Sequence, residues 1–513
     1  MTRERRRDLA LTYAPPAAVA LAIIALQFAH FGGLYAASDD SYIYLGYVKR
    51  ALEPPRQLFS YNPGEHSAGT TGISYYYALV IAAAVVRAAT FYLPMPTTLT
   101  LTMYLVNGAL FVGCAGLLTR LVSQMTGAAA VWGIAALVLL LWNVRFMWGM
   151  FAGLENPLSA FLIVALVSAI ARGAPLGLIA VLTALLAGAR PELLPTLALI
   201  PAFATVVARL PLRAEPAWWA GIAWRAAAAT ALCAAVVLAL ALPCWITTGR
   251  VFPSALGTRV AIAVLGDPHL LWEAASKFTP RAMLRNDWAL GSVALLLCLA
   301  VVAPYRNVRV PLAAMVFVTL QFAVRAVLGL VDLNVEHRYV SYLWPLYVLA
   351  IMPLLHGVVC AWRGAATLLA RPAGALAIGG ALAVYGALGP LREFDDRFSA
   401  DVREMNQIVV TPAQWMQDHL PAGSRVSTDT AGAVRVFTDF YLVDRIGLTT
   451  QHSWDHASYA DSMTTNRVDY AFEFPVQVKE FAESSRYDRL MSWRPQPQRH
   501  SLGEIAVFRL RGS

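Results

Sequence analysis

Long apolar runs separated by short polar loops fill roughly the first three quarters of the chain and then stop. Runs of about 20 apolar residues are long enough to cross a bilayer as helices. Candidate spans begin near Leu11, Thr98, Ala129, Gly153, Ala174, Leu193, Ala226, Asp287, Val310, Tyr339 and Pro372. The pattern predicts a polytopic α-helical membrane protein with about eleven spans. The segment from Ile73 to Leu93 is equally apolar but carries Tyr75, Tyr76, Tyr77 and a mid-segment Arg87. Aromatic side chains and a lone arginine belong at a membrane interface, so this segment reads as an interfacial or re-entrant helix.

Arginine placement supports that reading. If the segment does not cross, the loops holding Arg120, Arg172, Arg209 with Arg213, Arg306 with Arg309, and Arg363 with Arg371 share a side with the N-terminal Arg3, Arg5, Arg6 and Arg7. Basic loops stay cytoplasmic, so the N-terminus is predicted inside, and the loop 32–72 outside. The apolar run from Leu11 to Phe31 is too long for the h-region of a secretory signal, which predicts an uncleaved first span.

From about Arg392 charges become dense and turn residues frequent. Residues 1–391 therefore read as the transmembrane domain, and 392–513 as a soluble extracytoplasmic α/β domain. Thr411-Pro412 marks a helix start and Pro421-Ala422-Gly423 its end. Strands are predicted at Arg425 to Thr428, Tyr470 to Phe474 and Glu504 to Leu510.

Composition narrows the class further. The 513 residues are 58% hydrophobic and only 14% charged, with mean hydropathy +0.56. A net charge of +9 would suit nucleic acid if it were gathered in one patch with aromatics, but it is spread over loops, and no nucleic-acid partner is implied. Cys114, Cys233, Cys244, Cys298 and Cys360 lie in or beside apolar runs, without disulfide-framework or zinc-ligand spacing.

The chemistry concentrates at the outer ends of the spans. Asp39 and Asp40 follow the first span directly, where a carboxylate can deprotonate a hydroxyl or bind a metal, or else cap the predicted helix from Ser41 to Leu52. Their loop also holds Glu65 and His66, and at about forty residues it is longer than a plain connection needs to be. Glu155, in Gly153-Leu154-Glu155-Asn156-Pro157, sits at a helix start, where its charge suits the dipole. Arg190 and Glu192 lie in Gly188-Ala189-Arg190-Pro191-Glu192; Arg190 suits a phosphate or a neighbouring acid. His337, Arg338 and Tyr339 close a polar external loop, with Arg338 at the depth of a lipid phosphate or snorkelling to the interface.

The acidic pair after span one, Tyr42-Ile43-Tyr44-Leu45-Gly46-Tyr47, Phe59-Ser60-Tyr61-Asn62-Pro63-Gly64-Glu65-His66, Gly69-Thr70-Thr71, Gly153-Leu154-Glu155 and Ala189-Arg190-Pro191-Glu192 together resemble the GT-C superfamily of glycosyltransferases that use polyprenyl-phosphate sugars. The resemblance is greatest to the branch of the mycobacterial terminal arabinofuranosyltransferases, and Val443-Asp444-Arg445-Ile446-Gly447-Leu448-Thr449 matches a recurring segment there. The chain departs from that branch at Ala68-Gly69-Thr70-Thr71-Gly72, where a glycine-tyrosine-threonine run is usual, and at Asn156, where threonine is usual.

The resemblance implies an inverting membrane glycosyltransferase of the bacterial inner membrane. It would move a hexosyl or pentosyl group from a polyprenyl-phosphate donor to a glycan, glycolipid or protein acceptor outside the cell membrane. Asp40, or Asp39, would be the general base; Arg190 and Arg338 would hold the donor phosphate; Glu65, His66, Glu155, Glu192, His337 and Tyr339 would line the substrate site. A divalent cation, Mg or Mn, is a candidate cofactor, with no ligand set to decide it. The rival class is a transporter or flippase of lipid-linked sugars, which calls for charges buried at mid-span and internal symmetry; neither is visible in the sequence.

Overall fold

The computed structural model describes residues 3–67, 69, 72–126, 129–190, 216–249, 341–361, 372–445, 447, 449–450, 459–476, 478, 480–483, 486–495 and 503–511. The predicted spans near Leu193, Asp287 and Val310 lie outside these residues.

The chain opens with helix α1 (Arg3–Phe31), a short helix α2 (Asp39–Leu52), α3 (Ile73–Ala89) and the long α4 (Met95–Thr126). Helices α1 and α4 are both long and apolar enough to cross a membrane. They run antiparallel: a Cβ on Gly116 would strike the ring of Tyr13, Gly108 faces Ala20 and Ile24, and Tyr104 donates to the Tyr35 carbonyl. The segment between two antiparallel spans begins and ends on one face, so α3 is not a lone crossing. It is 17 residues long and lies beside α4, where Tyr75 donates to Asn107 at 2.8 Å. The interfacial or re-entrant reading of 73–93 fits this arrangement.

Other apolar runs are more broken than their hydropathy suggests. The run from Ala129 forms α5 (Ala129–Trp142) and α6 (Val144–Phe151), bent by 81° at Asn143, whose side chain caps α6 through the Phe146 N–H. Helices α7 (Asn156–Ala171) and α8 (Leu176–Ala189) have 16 and 14 residues and form an antiparallel hairpin turning at Gly173 (φ +64°). At 1.5 Å per residue they reach about 24 and 21 Å, short of a full hydrocarbon layer. Helix α9 (Pro216–Thr248) is a full-length apolar candidate. Among the described residues three helices pass as spans, or four if the bent pair counts as one; the expected total of about eleven is not reached within them.

Helix α10 (Trp344–Ala361) precedes α11 (Pro372–Met405). The change in composition at Arg392 falls inside α11, which carries the last apolar run straight into the polar region. Its C-terminal half is fastened to α1 and α6: Gln27 donates to Ser399, His30 meets Asp395 at 3.1 Å, and the Trp148 indole donates to Asp401 at 2.9 Å. A π-helical turn (Asn406–Val410) leads to α12 (Thr411–His419), the helix expected from Thr411-Pro412.

The remaining residues form a five-stranded sheet of β1 (Arg425–Thr428), β2 (Tyr441–Asp444), β3 (Tyr470–Glu473), β4 (Tyr487–Trp493) and β5 (Ile505–Leu510) in the order β2-β1-β3-β5-β4. The pairs β1–β2 and β1–β3 are parallel; β5 runs antiparallel to β3 and β4. Strands β1, β3 and β5 lie where the sequence placed them, whereas β2 and β4 were not foreseen. Helix α13 (Ala431–Phe437) follows β1, and α14 (Tyr459–Thr465) and α15 (Glu480–Glu483) complete the domain. One apolar core runs unbroken from α1 and α4 through α2 to Val426, Val434, Leu442 and Val507, so the two parts fold against each other.

Candidate active site

Helix α2 organises the site. Residues three or four apart share a helix face, and its two faces serve different partners. Asp40 and Tyr44 share one, and Tyr44 donates to Glu155 Oε2 at 3.1 Å and accepts from the Gly72 N–H at 2.9 Å. Asp39, Gly46 and Lys49 lie on the other, against α13.

The first face packs on a buried polar cluster at the start of α7 and the end of α8. The hairpin brings Glu155, just before α7, beside Arg190, just after α8, with Oε1 and Nη2 3.1 Å apart. Arg190 also donates to Asn156, which donates in turn to Ser341 at 3.2 Å. The Arg190 guanidinium lies 5.0 Å from the ring centre of Tyr342. Small residues let these elements close: a Cβ on Gly72 would lie 2.9 Å from the Ala189 carbonyl and from the Tyr44 hydroxyl, and Gly153 (φ +94°) turns against Ser41 and Met103. Ser41 Oγ donates to the Ala152 carbonyl, locking the first turn of α2 to the turn that carries Glu155. The cluster thus holds an acid, a cation at 2% exposure and two tyrosines, arranged beside the N-terminal turns of α2.

Asp39 has a different environment. Its carboxylate accepts the N–H groups of Gly432 at 3.1 Å and Ala433 at 2.9 Å, capping α13 rather than its own helix. The residue keeps some exposed surface, but the carboxyl group is enclosed, and burial pushes it up to about 7 against the pull of those two hydrogen bonds. The expected cap on the helix Ser41 to Leu52 is thus not made by Asp39, which lies inside the first turn of α2 and instead caps a helix almost 400 residues away (|i−j| = 393 and 394). At the far end of α13, Lys49 Nζ reaches the carbonyls of Arg435, Val436 and Thr438 and the Asp439 carboxylate at 3.0 Å. An acid at the start of α13 and a cation at its end both suit its dipole.

Glu65 and His66 lie along this second contact and not with the Glu155 group. Glu65 accepts from Asn62 at 2.9 Å and from Tyr441 at 2.8 Å. Asn62 exchanges two hydrogen bonds with the backbone of Leu442, so the first loop covers the edge strand β2. His66 forms a bridge with Ser60. Glu192, His337, Arg338 and Tyr339 lie outside the described residues. Tyr44, Asn156, Ser341 and Tyr342 were not singled out as site residues; of these, Tyr44 was legible, four residues on from Asp40.

A second polar group lies at the carboxyl ends of β1, β2 and β3. Arg445 is bonded to Asp429, Tyr459 donates to Glu473 at 2.8 Å, and Asp444 accepts two bonds from Thr449. Burial pushes the Glu473 carboxyl well above its ordinary range. Among the described residues, no group of three or more His, Cys, Asp or Glu side chains is placed to hold a metal ion. Glu155 is covered by a guanidinium, a poor neighbour for a divalent cation.

The architecture has counterparts of known activity. The oligosaccharyltransferase of Archaeoglobus fulgidus in its apo form superposes with a TM-score of 0.58 at 11% identity, covering 92% of this chain and 70% of that one. ArnT from Cupriavidus metallidurans gives 0.57 at 12% identity, covering 96% and 97% of the two chains. The Archaeoglobus enzyme, AglB, in complex with an inhibitory peptide and a dolichol-phosphate gives 0.53 at 12% identity, covering 91% and 70%. The chain has the GT-C fold. Residues 400–505 match a family model described as a domain of unknown function, DUF8728. No curated protein matches the sequence significantly.

Proposed function

We propose that the protein is an inverting glycosyltransferase that moves a sugar from a polyprenyl-phosphate donor to a hydroxyl-bearing cell-envelope acceptor on the outer face of the bacterial cell membrane. The observation that carries this reading is the buried Glu155–Arg190 pair, bonded to Tyr44 on the Asp40 face of α2, in a GT-C fold. A donor phosphate at the ends of α7 and α8 would lie against Arg190, with its lipid tail among the spans. AglB binding a dolichol-phosphate supports a lipid-phosphate ligand.

In this mechanism Asp40 takes the proton from the acceptor hydroxyl as its oxygen attacks the anomeric carbon. The bond from that carbon to the phosphate oxygen breaks, the electron pair leaves with the lipid phosphate, and the configuration inverts. Arg190 offsets the growing phosphate charge, in a site dry enough for a single cation to count. Glu155 holds Arg190 in place before the donor arrives, and Tyr44 ties Glu155 to the helix that carries the base. Asp39, occupied by two backbone amides, supports the base without sharing its task. Arg338 is kept as a second phosphate ligand on the resemblance alone. No step is routed through a metal ion.

Transfer of labelled sugar from polyprenyl-phosphate donors by the protein in nanodiscs is the test. Transfer that disappears in Asp40→Asn while donor binding persists supports the base assignment. A wild type that carries donor across the bilayer yet never transfers sugar to any acceptor would replace this reading with that of a transporter of lipid-linked sugars.

A further inference from the structure

Among the described residues, the buried cations Arg190 and Lys49 each meet an acid, Glu155 and Asp439, and the half-buried Arg445 meets Asp429. Two guanidiniums where α2 meets α13 depart from that pattern. Arg50, in the last turn of α2, and Arg435, on α13, are 4% and 2% exposed. Among the described residues, Arg50 Nη2 reaches only the amide oxygen of Gln57, at 3.4 Å, and Arg435 Nη1 donates to the Phe440 carbonyl at 2.9 Å. Among the described residues neither has a carboxylate within ion-pair distance, and the Nε of each is enclosed without a hydrogen bond. Burial lowers the proton affinity of Arg435, and the charge of Arg50 acts in the same sense, against the opposing pull of Tyr61, Glu53 and Asp439.

Two like charges buried in the same contact, each with an unsatisfied donor, point to a missing partner. An ordered water would satisfy the N–H groups but bring no charge to face the two guanidiniums. An oxyanion does both, and the planar guanidinium fork matches a phosphate or carboxylate edge. The pair lies about 15 Å along α2 from Asp40, and the exposed stretch Pro54–Arg56 follows directly.

We propose that Arg50 and Arg435, with Lys49 alongside, bind a phosphate-class oxyanion between the first external loop and the C-terminal domain, at a site separate from the Glu155–Arg190 cluster. Arg50 belongs to the loop and Arg435 to the domain, so the anion bridges the two and its occupancy strengthens their docking.

The test is thermal unfolding of the full chain in phosphatidylcholine nanodiscs, titrated with inorganic phosphate while chloride keeps the ionic strength constant. The expected result is a saturable rise in Tm of about 2 °C or more, because a ligand of the folded state stabilises by mass action. Arg50→Gln and Arg435→Gln should remove it. Should either variant fail to fold, saturable broadening of the phosphorus-31 signal by wild type, weakened in Arg50→Lys, tests the same site. Repeating the titration in phosphatidylglycerol discs separates the sources. A rise already present there, with no further gain from phosphate, assigns the anion to a lipid headgroup; a rise that needs added phosphate assigns it to a free anion. A Tm that responds to neither, or a non-saturating rise shared by both glutamine variants, overturns the proposal, since the latter reflects only salt exclusion from the surface.

Discussion

The polar cluster at the start of α7 and the end of α8 and the contact between α2 and α13 are built from the same kinds of residue and do different things with them. In the cluster the charged groups bond mainly to other side chains: Arg190 with Glu155 and Asn156, Glu155 with Tyr44. At the α2–α13 contact polar side chains bond mainly to backbone: Asp39 takes two amides, Lys49 three carbonyls, and Asn62 both polar groups of Leu442. A side-chain pair can exchange one partner for a ligand group, as a donor phosphate would replace Glu155 on Arg190. A side chain bonded to backbone holds an element in place and is not displaced without moving that element. The difference separates Asp40 from Asp39, although they are neighbours in sequence.

The largest test of that contrast is Asp40→Asn. Loss of a general base is expected to lower transfer by about 10²–10⁴-fold, with donor binding and Tm close to wild type. Asp39→Asn should instead spare most of the rate; equal losses from the two variants would abolish the distinction drawn between the two aspartates.

Arg190→Gln comes next. It leaves the Glu155 carboxylate enclosed without its cation, at a cost of about 3–5 kcal/mol, read as a lowered Tm in nanodiscs. Adding Glu155→Gln to that variant should restore part of the loss while transfer stays low; a double variant no more stable than the single one would mean that the two residues do not act as a pair.

Gly432→Ala probes the α2–α13 contact. A Cβ there would lie 2.1 Å from the Asp39 carbonyl oxygen and 2.9 Å from its carboxylate, so α13 must move away at a cost of about 1–3 kcal/mol. Faster amide exchange in α2 and α13, with donor affinity unchanged, is the expected signature. Wild-type exchange rates would show that the two helices are not in tight register.

The smallest effect is the pH dependence of that contact. Asp39 keeps its proton up to about 7, against 3.8 for an ordinary aspartate, so the folded protein binds more protons than the unfolded chain between those values. The stability contributed by this group is therefore complete below about 3.8, falls as pH rises towards 7, and changes no further above it. The pH dependence of Tm should flatten over this window in Asp39→Asn, whose loss of a helix cap costs about 1 kcal/mol. An unaltered profile would mean that Asp39 does not titrate in that range.

Much of the fold was legible because it rests on local signals. Apolar runs located α1, α4 and α9; tyrosines and Arg87 marked α3 as unlike a plain span; proline and small residues bounded α12. Strand β4 escaped because its exposed pattern, Tyr487-Asp488-Arg489-Leu490-Met491, lacks the apolar alternation that marks a half-buried strand. The kink at Asn143 escaped because hydropathy measures the length of a run and says nothing of its direction. For the candidate site, Asp39, Asp40, Glu155 and Arg190 were recognised as a set from resemblance. Glu65 was grouped with them through the same resemblance and the shared loop, whereas its hydroxyl partner lies on β2.

What the sequence alone determined is the membrane class, the break into an apolar and a polar part, and the residue types that can do chemistry at the outer surface, since each depends on composition and short-range periodicity. Only the tertiary structure decided that Asp39 caps α13, that Arg190 pairs with Glu155, and that Arg50 and Arg435 are enclosed without a carboxylate at ion-pair distance among the described residues. Those outcomes depend on contacts between elements far apart in the chain. Two adjacent aspartates have the same side-chain chemistry, and only the helix they begin, with its two faces packed against different partners, makes them different.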